Sequence, residues 1–318
     1  MTYATKTRTL DDIAADSHVF SIIAMDQRNT LRRMFTAVGV DATDDDLRVA
    51  KADVARVLTP AASGLLSDPT YGVPAITEAK ALAPDCGLLI AAEPSERRSY
   101  QGEPRTHRDP ALDAQWVLDQ GGDALKFFVQ LRADRPVPAR AEPDLVTETL
   151  SVCQQIIDDC RATGVPVVIE NLVYPLPGED LAGRVREDAI IEAARALNDL
   201  DIDLLKLEYP GSPEGCRRLS AILRRPWAVL SAGVPFDQFT DIIRIAADEG
   251  GASGFIAGRS VWREMVSLAG QQREEFLTSV ALPRLERLVA TAERRARPWH
   301  EVTDQRPDPV LTTCTPRS

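Results

Sequence analysis

The chain has 318 residues, 44% of them apolar and 27% charged, with a formal net charge of −11. That length and apolar share suit one large domain or two ordinary ones with a full-sized core, and exclude low-complexity disorder as the main state. The acidic balance argues against a nucleic-acid partner, because a phosphate backbone calls for a cationic face, but leaves room for small anions held in a local basic pocket.

Taken in chain order, short apolar runs of strand length alternate with longer segments of helical period. The run VFSIIAM (19–25) is followed by the helix candidate DDDLRVAKADVARVL (44–58), then by SGLLSD (63–68) and GLLIAAE (87–93). DPALDAQWVLDQ (109–120) is predicted helical, with Asp109 as the N-cap and Pro110 at the first helical position. Next come DALKFFVQ (123–130), the helix DLVTETLSVCQQIIDDCRATG (144–164), PVVIENL (166–172), the helix REDAIIEAARALNDL (186–200) and DLLKLEY (203–209). WAVLSAG (227–233), the helix PFDQFTDIIRIAADEG (235–250) and GFIAGR (254–259) complete the series, with Gly164 and Gly250 as the glycines expected just past two helices. The strand candidates are near-continuously apolar, as parallel strands covered on both faces are. Eight of them over some 250 residues predict an α/β fold, a single (β/α)8 barrel with a C-terminal helical extension. The barrel is expected over 1–299 and a loosely held tail over 300–318.

No run approaches the roughly 18 apolar residues of a membrane span, and the start MTYATKTRTLDD lacks an apolar signal core, so a cytoplasmic protein without a membrane partner is expected. The five cysteines (Cys86, Cys153, Cys160, Cys216, Cys314) are scattered, which suggests reduced thiols rather than disulfides. His18, His107 and His300 show no metal-ligand spacing, so no metal is expected.

In a parallel barrel the chemistry gathers where strands end. The polar residues there are Asp26, Gln27, Arg28, Asp68, Glu93, Lys126, Glu170, Lys206, Glu208, Ser231, Gly233, Gly258 and Arg259. Only five of the 37 basic residues are lysine, yet Lys126 and Lys206 both lie within apolar runs. Burial penalises an ammonium, and a second cation adds to the penalty, so a lysine so placed tends toward the neutral amine that attacks carbonyls. The competing reading is structural, with each lysine paired to a carboxylate. Glu170 is the candidate proton shuttle. By the two-residue strand period, Glu208 shares a face with Lys206 and is an alternative counter-ion. The small residues of VLSAGV (229–234) and GASGFIAGRS (251–260) suit close backbone approach to a phosphate, with Arg259 adding charge. Arg28 could supply a second anionic contact across the mouth, whereas Arg32 and Arg33 are expected on a solvated helix face.

The segments IIAMDQRNTLRRMF, LLSDPTYGVPA, GGDALKFFVQL, PVVIENL, DLLKLEYP, PWAVLSAGV and GASGFIAGRSVW, in that order, resemble the class I tagatose-1,6-bisphosphate aldolase family and its relative sulfofructosephosphate aldolase, over about residues 10–299. The resemblance implies a lyase without metal or organic cofactor. It implies Lys206 as the Schiff-base lysine, Lys126 and Glu170 as its active-site partners, and Asp26 and Gln27 as substrate hydroxyl contacts. It also implies Ser231, Gly233, Gly258 and Arg259 around the C1 phosphate of a ketohexose phosphate, and a homo-oligomer, dimer or tetramer. LLSDPTYGVPA looks like the tagatose-bisphosphate branch, and REDAIIEAARAL, PWAVLSAGV and GASGFIAGRSVW like the sulfosugar branch. The loop EPSERRSYQGEPRTHRD (93–109) matches neither, which leaves the group recognised at C6 open between phosphate and sulfonate. The alternatives are a deoxyribose-phosphate aldolase-type enzyme and a non-catalytic sugar-phosphate sensor.

Overall fold

The computed structural model describes residues 7–303. Ten strands form: β1 (Phe20–Met25), β2 (Gly64–Ser67), β3 (Gly87–Ala91), β4 (Arg98–Tyr100), β5 (Glu103–Arg105), β6 (Ala124–Val129), β7 (Val167–Asn171), β8 (Leu204–Leu207), β9 (Trp227–Leu230) and β10 (Gly254–Ala257). Eight of them close into a parallel barrel in the order β1-β10-β9-β8-β7-β6-β3-β2, while β4 and β5 form a separate antiparallel hairpin. Each of the eight apolar runs is a barrel strand, and helices lie between them, so the fold is a (β/α)8 barrel.

The strand period divides the core into two layers. One face (Phe20, Ile22, Ala24, Leu66, Leu89, Ala91, Ala124, Val168, Leu204, Ala228, Ile256) fills the barrel, and the other packs on the surrounding helices. Lys126, Glu170 and Lys206 follow Ala124, Val168 and Leu204 by two residues and share their inward face. Register sets Glu170 beside Lys206, Lys126 beside Ala91 and Lys206 beside Ala228. These alanines leave room at that level for long side chains.

Local signals fix most helix ends. Thr43 and Asp46 form a reciprocal capping box at Asp44–Leu58, and Asp144 caps Leu145–Thr163, which ends on Gly164 at φ +70°. Two expected ends differ. The left-handed residue after Phe236–Gly250 is Gly251, at φ +60°. Gly250 is the last helical residue, where a Cβ would come 2.8 Å from the Trp227 ring. The helix near 109–120 runs only Ala114–Asp119, with Asp113 as its cap, because the Asp109 carboxylate accepts from Ala111 N and closes a turn instead.

The barrel floor is closed by the 3-10 turn Leu10–Ile13, whose Leu10 and Ile13 join the inner layer. There Gly254, at φ +143°, passes so close to Phe20 that a Cβ would lie 2.0 Å from its carbonyl oxygen. Residues expected to begin a loose tail instead form the short helix Trp299–Thr303, with Trp299 N donating to His18 O; the rest of that tail, from 304, and Cys314 lie outside the described residues. His18 and His300, remote in sequence, stack edge-on at 4.6 Å on this floor. Cys86, Cys153, Cys160 and Cys216 are buried and free. Among the described residues no helix is long and apolar enough to cross a membrane.

Candidate active site

At the C-terminal ends of the strands the structure brings Lys126, Glu170 and Lys206 into one buried array. Glu170 lies between the two lysines, with Oε2 2.7 Å from Lys126 Nζ and Oε1 2.9 Å from Lys206 Nζ. Lys126 is also bound by Asp26 at 3.0 Å and by Glu93 at 2.9 Å. Glu93 accepts in addition from Phe128 N, and its own carbonyl accepts from Arg28 Nη2 at 2.9 Å.

The electrostatics follow from this geometry. Burial opposes the charge of Lys126, but Asp26, Glu170 and Glu93 outweigh it and hold the ammonium well above the ordinary lysine range. The expectation that a lysine in an apolar strand becomes a neutral amine therefore fails at Lys126, because three carboxylates meet there. Burial likewise opposes the charges of Glu170 and Asp26, yet Lys126 and Lys206 hold both carboxyls below the usual range.

Glu208 is not the counter-ion of Lys206. It lies past the end of β8, where the period of two no longer governs, and binds Arg186 and Val173 N. Asp68 turns away from the array too: it is fully buried, accepts from Thr70, Tyr71 and Gly72 N, and pairs with Lys51 at 2.7 Å.

Lys51, a third buried lysine, was not anticipated as part of the site. From helix Asp44–Leu58 it donates to Met25 O at 2.6 Å and Gln27 O at 2.8 Å, tying the end of β1 that carries Asp26 and Gln27. A signal existed: Lys51 falls on the buried stripe Leu47, Val54, Leu58 at spacings of four, three and seven. Gln27 donates to Asp26 Oδ1 at 3.1 Å, and its own Oε1 is buried with no protein partner.

At the ends of β9 and β10 the backbone turns tightly, with Ala232 at φ +46° and Gly233 at φ +77°. A Cβ on Gly233 would meet Arg263 Nη2 at 2.8 Å and Arg259 Nε at 3.2 Å, and one on Gly258 would come 2.6 Å from Ala24 O. Ser231 Oγ faces Gly258 N at a long 3.5 Å. Burial and the adjacent Arg263 both disfavour the charge on Arg259, so this corner favours an anion. Arg263, also missed, stands one helical turn beyond Arg259. A cavity of about 300 Å3 joins Asp26, Gln27, Arg28, Arg33, Lys126, Glu170 and Arg259. Arg32, by contrast, reaches away to Ala42 O and Asp44.

A closed parallel barrel with an inward lysine–glutamate–lysine array at its catalytic face has the build of an enzyme. The chain belongs to the DeoC/LacD family of aldolases, whose profile it matches over residues 20–264, and is thus a lyase. It is 26% identical to tagatose 1,6-diphosphate aldolase 2 of Streptococcus agalactiae serotype III, over 93% of this chain and 98% of that protein. The fold resembles that of an archaeal fructose-1,6-bisphosphate aldolase solved with its catalytic lysine covalently bound to a carbinolamine intermediate (TM-score 0.60, 16% identity, 90% of this chain and 100% of that one). It also resembles fructose-bisphosphate aldolase from Plasmodium falciparum (TM-score 0.65, 12% identity, 91% and 94% covered).

Proposed function

We propose that this chain is a class I, Schiff-base aldolase. It cleaves a ketohexose 1-phosphate bearing an anionic group at C6 into dihydroxyacetone phosphate and a three-carbon aldehyde that keeps that group. The observation that carries the reading is the Glu170 carboxylate bridging Lys126 and Lys206 at 2.7 and 2.9 Å. A proton carrier is thereby in hydrogen-bond reach of the amine that must lose a proton before it attacks. The names of the Streptococcus relatives support a ketohexose bisphosphate as the substrate class.

Lys206 gives a proton to Glu170, its nitrogen bonds to C2 as the carbonyl π pair moves onto oxygen, and that oxygen takes a second proton from the nitrogen to give the carbinolamine hydroxyl. The first transfer removes one of the two cations holding the Glu170 carboxyl down, so the group takes up a proton when it must carry one. Glu170 then returns the proton to the carbinolamine hydroxyl, which leaves as water. The resulting iminium restores the cation and with it the carboxylate, which accepts the C4 hydroxyl proton. The C3–C4 bond breaks, its electron pair passes into the iminium to give an enamine, and C4 becomes the aldehyde. Glu170 returns that proton to C3, which regenerates the iminium, and its hydrolysis by water releases dihydroxyacetone phosphate and free Lys206. The electron sink is the iminium and no metal has a part in the scheme. Lys126 stays charged throughout, holding Asp26, Glu93 and Glu170 in place. Asp26 and Gln27 meet substrate hydroxyls, and the unpartnered Gln27 Oε1 is an acceptor available for one. Ser231, Gly233, Gly258 and Arg259 take the C1 phosphate, which orients the ketone far from the bond that breaks.

Borohydride reduction in the presence of dihydroxyacetone phosphate, followed by peptide mapping, is expected to yield one adduct, on Lys206. An adduct on Lys126, or none, rejects the assignment. Cleavage assays with tagatose 1,6-bisphosphate, fructose 1,6-bisphosphate and 6-deoxy-6-sulfofructose 1-phosphate then identify the substrate. Comparable rates on the first two indicate laxity at C4, and exclusive use of the third indicates sulfosugar breakdown.

A further inference from the structure

We propose that Arg97, carried on the loop after β3, receives the anionic group at C6 and so sets the preference for a doubly anionic ketohexose. The inference rests on the aldolase reading above and specifies which side chain selects its substrate.

The barrel order supplies the direction. Counting around β1-β10-β9-β8-β7-β6-β3-β2, β3 stands opposite β9 and β6 opposite β10. The glycine turns and Arg259 lie at the ends of β9 and β10, so a substrate anchored there and crossing the mouth ends over β3 and β6. Arg97 is found there. It lines the same cavity as Arg259, Lys126 and Glu170, and its guanidinium stacks 4.2 Å above the ring centroid of Phe128 on β6. Phe128 follows Lys126 by two residues and shares its inward face.

Arg97 is also chemically available. The nearby carboxylate, Glu93, is committed to Lys126 Nζ at 2.9 Å and to Phe128 N at 3.2 Å. Among the described residues no carboxylate forms an ion pair with Arg97, whose guanidinium lies over the Phe128 ring. Burial disfavours its charge, and although Glu93 offsets this in part, Arg28 adds to the penalty. A tetrahedral oxyanion would relieve both, and a planar guanidinium fixed by stacking offers paired donors to it. Arg28 has already spent Nη2 on Glu93 O.

The frame that presents Arg97 is anchored. The loop runs straight into β4, whose Arg98 is paired with Arg105 of β5. Arg105 makes two 2.7 Å bonds to Glu148, Glu103 binds Arg135 and Tyr174, and Thr149 bonds Thr106. A donor held in position loses less entropy on binding.

The test compares wild type with Arg97→Gln and Arg97→Lys on three substrates: tagatose 1,6-bisphosphate, 6-deoxy-6-sulfofructose 1-phosphate and fructose 1-phosphate, which has no anion at C6. For Arg97→Gln, kcat/KM on the preferred doubly anionic substrate, relative to fructose 1-phosphate, is expected to fall about 10- to 100-fold, as for loss of a charge-assisted hydrogen bond. Arg97→Lys should recover part of it. The doubly anionic substrate that wild type prefers identifies the group as phosphate or sulfonate. An unchanged ratio, or an equal loss on all three substrates, overturns the role of Arg97 while leaving the aldolase reading intact. If wild type cleaves none of the three and forms no borohydride adduct, the aldolase reading fails and the inference with it.

Discussion

Replacing Lys126 by methionine keeps the length of the side chain and removes the charge on which three carboxylates converge. At 2.7, 2.9 and 3.0 Å from Glu170, Glu93 and Asp26, each pair contributes roughly 6 kcal/mol of gross attraction at an effective dielectric of about 20. Desolvation opposes most of that, and removing one member of a buried pair costs about 3–5 kcal/mol net. At roughly 2–4 °C per kcal/mol for a large single domain, Tm should fall by about 6–20 °C at pH 8. The pH dependence is the sharper check. In the wild type, Lys126 is the largest influence lowering the Asp26 and Glu170 carboxyls. Carboxyls depressed in this way contribute stability that is present above their unfolded values and lost only as pH falls through the folded ones. In Lys126→Met the largest lowering influence is gone, Lys206 alone remains against burial, and those carboxyls shift upward. The variant's penalty then belongs to the ionised carboxylates, is full at pH 8, and shrinks as they take up protons toward pH 5. Thermal melts of both proteins across that range read the difference directly. A gap between wild type and variant that is the same at pH 5 as at pH 8 would refute the idea that Lys126 works by holding ionised carboxylates.

Glu170→Gln keeps the shape but cannot carry a proton, so kcat for cleavage should drop about 10²–10⁴-fold. Retention of kcat within threefold in steady-state assays would assign the shuttle to another group. Lys51→Met strands the fully buried Asp68 and frees the ends of β1 at Met25 and Gln27. A stability loss of about 3–5 kcal/mol by denaturant unfolding is expected, together with a raised KM from the displaced Asp26 and Gln27. Gly233→Ala places a methyl 2.8 Å from Arg263 Nη2 in a left-handed turn. It should weaken binding of inorganic phosphate, measured calorimetrically, and binding as tight as wild type would remove that turn from the anion site.

The barrel is legible because its strands are buried on both faces, so eight apolar runs stand out between amphipathic helices. The inward face is legible too: Lys126, Glu170 and Lys206 follow small or apolar inward residues at a spacing of two. That rule stops at the strand end, which is why Glu208 is misjudged. The hairpin β4–β5 carries no apolar alternation; contacts from Glu148, Arg135 and Tyr174, distant in sequence, hold it. Glu93 is visible as a polar strand end, but its bond to Lys126 depends on closure of β3 against β6, which no local pattern encodes.

The distribution of charge explains how a chain of net charge −11 can select an anion. Most of its acidic residues face water or pair on the surface, where they are worth little. Inside the mouth the three carboxylates nearest the reaction, Asp26, Glu93 and Glu170, are consumed by Lys126 and Lys206. What remains for a ligand is cationic and sits at two ends: Arg259 and Arg263 beside the β9–β10 turns, and Arg97 over β3 and β6. An anion at one end alone leaves the other unneutralised, so a ligand charged at both termini gains from each in turn.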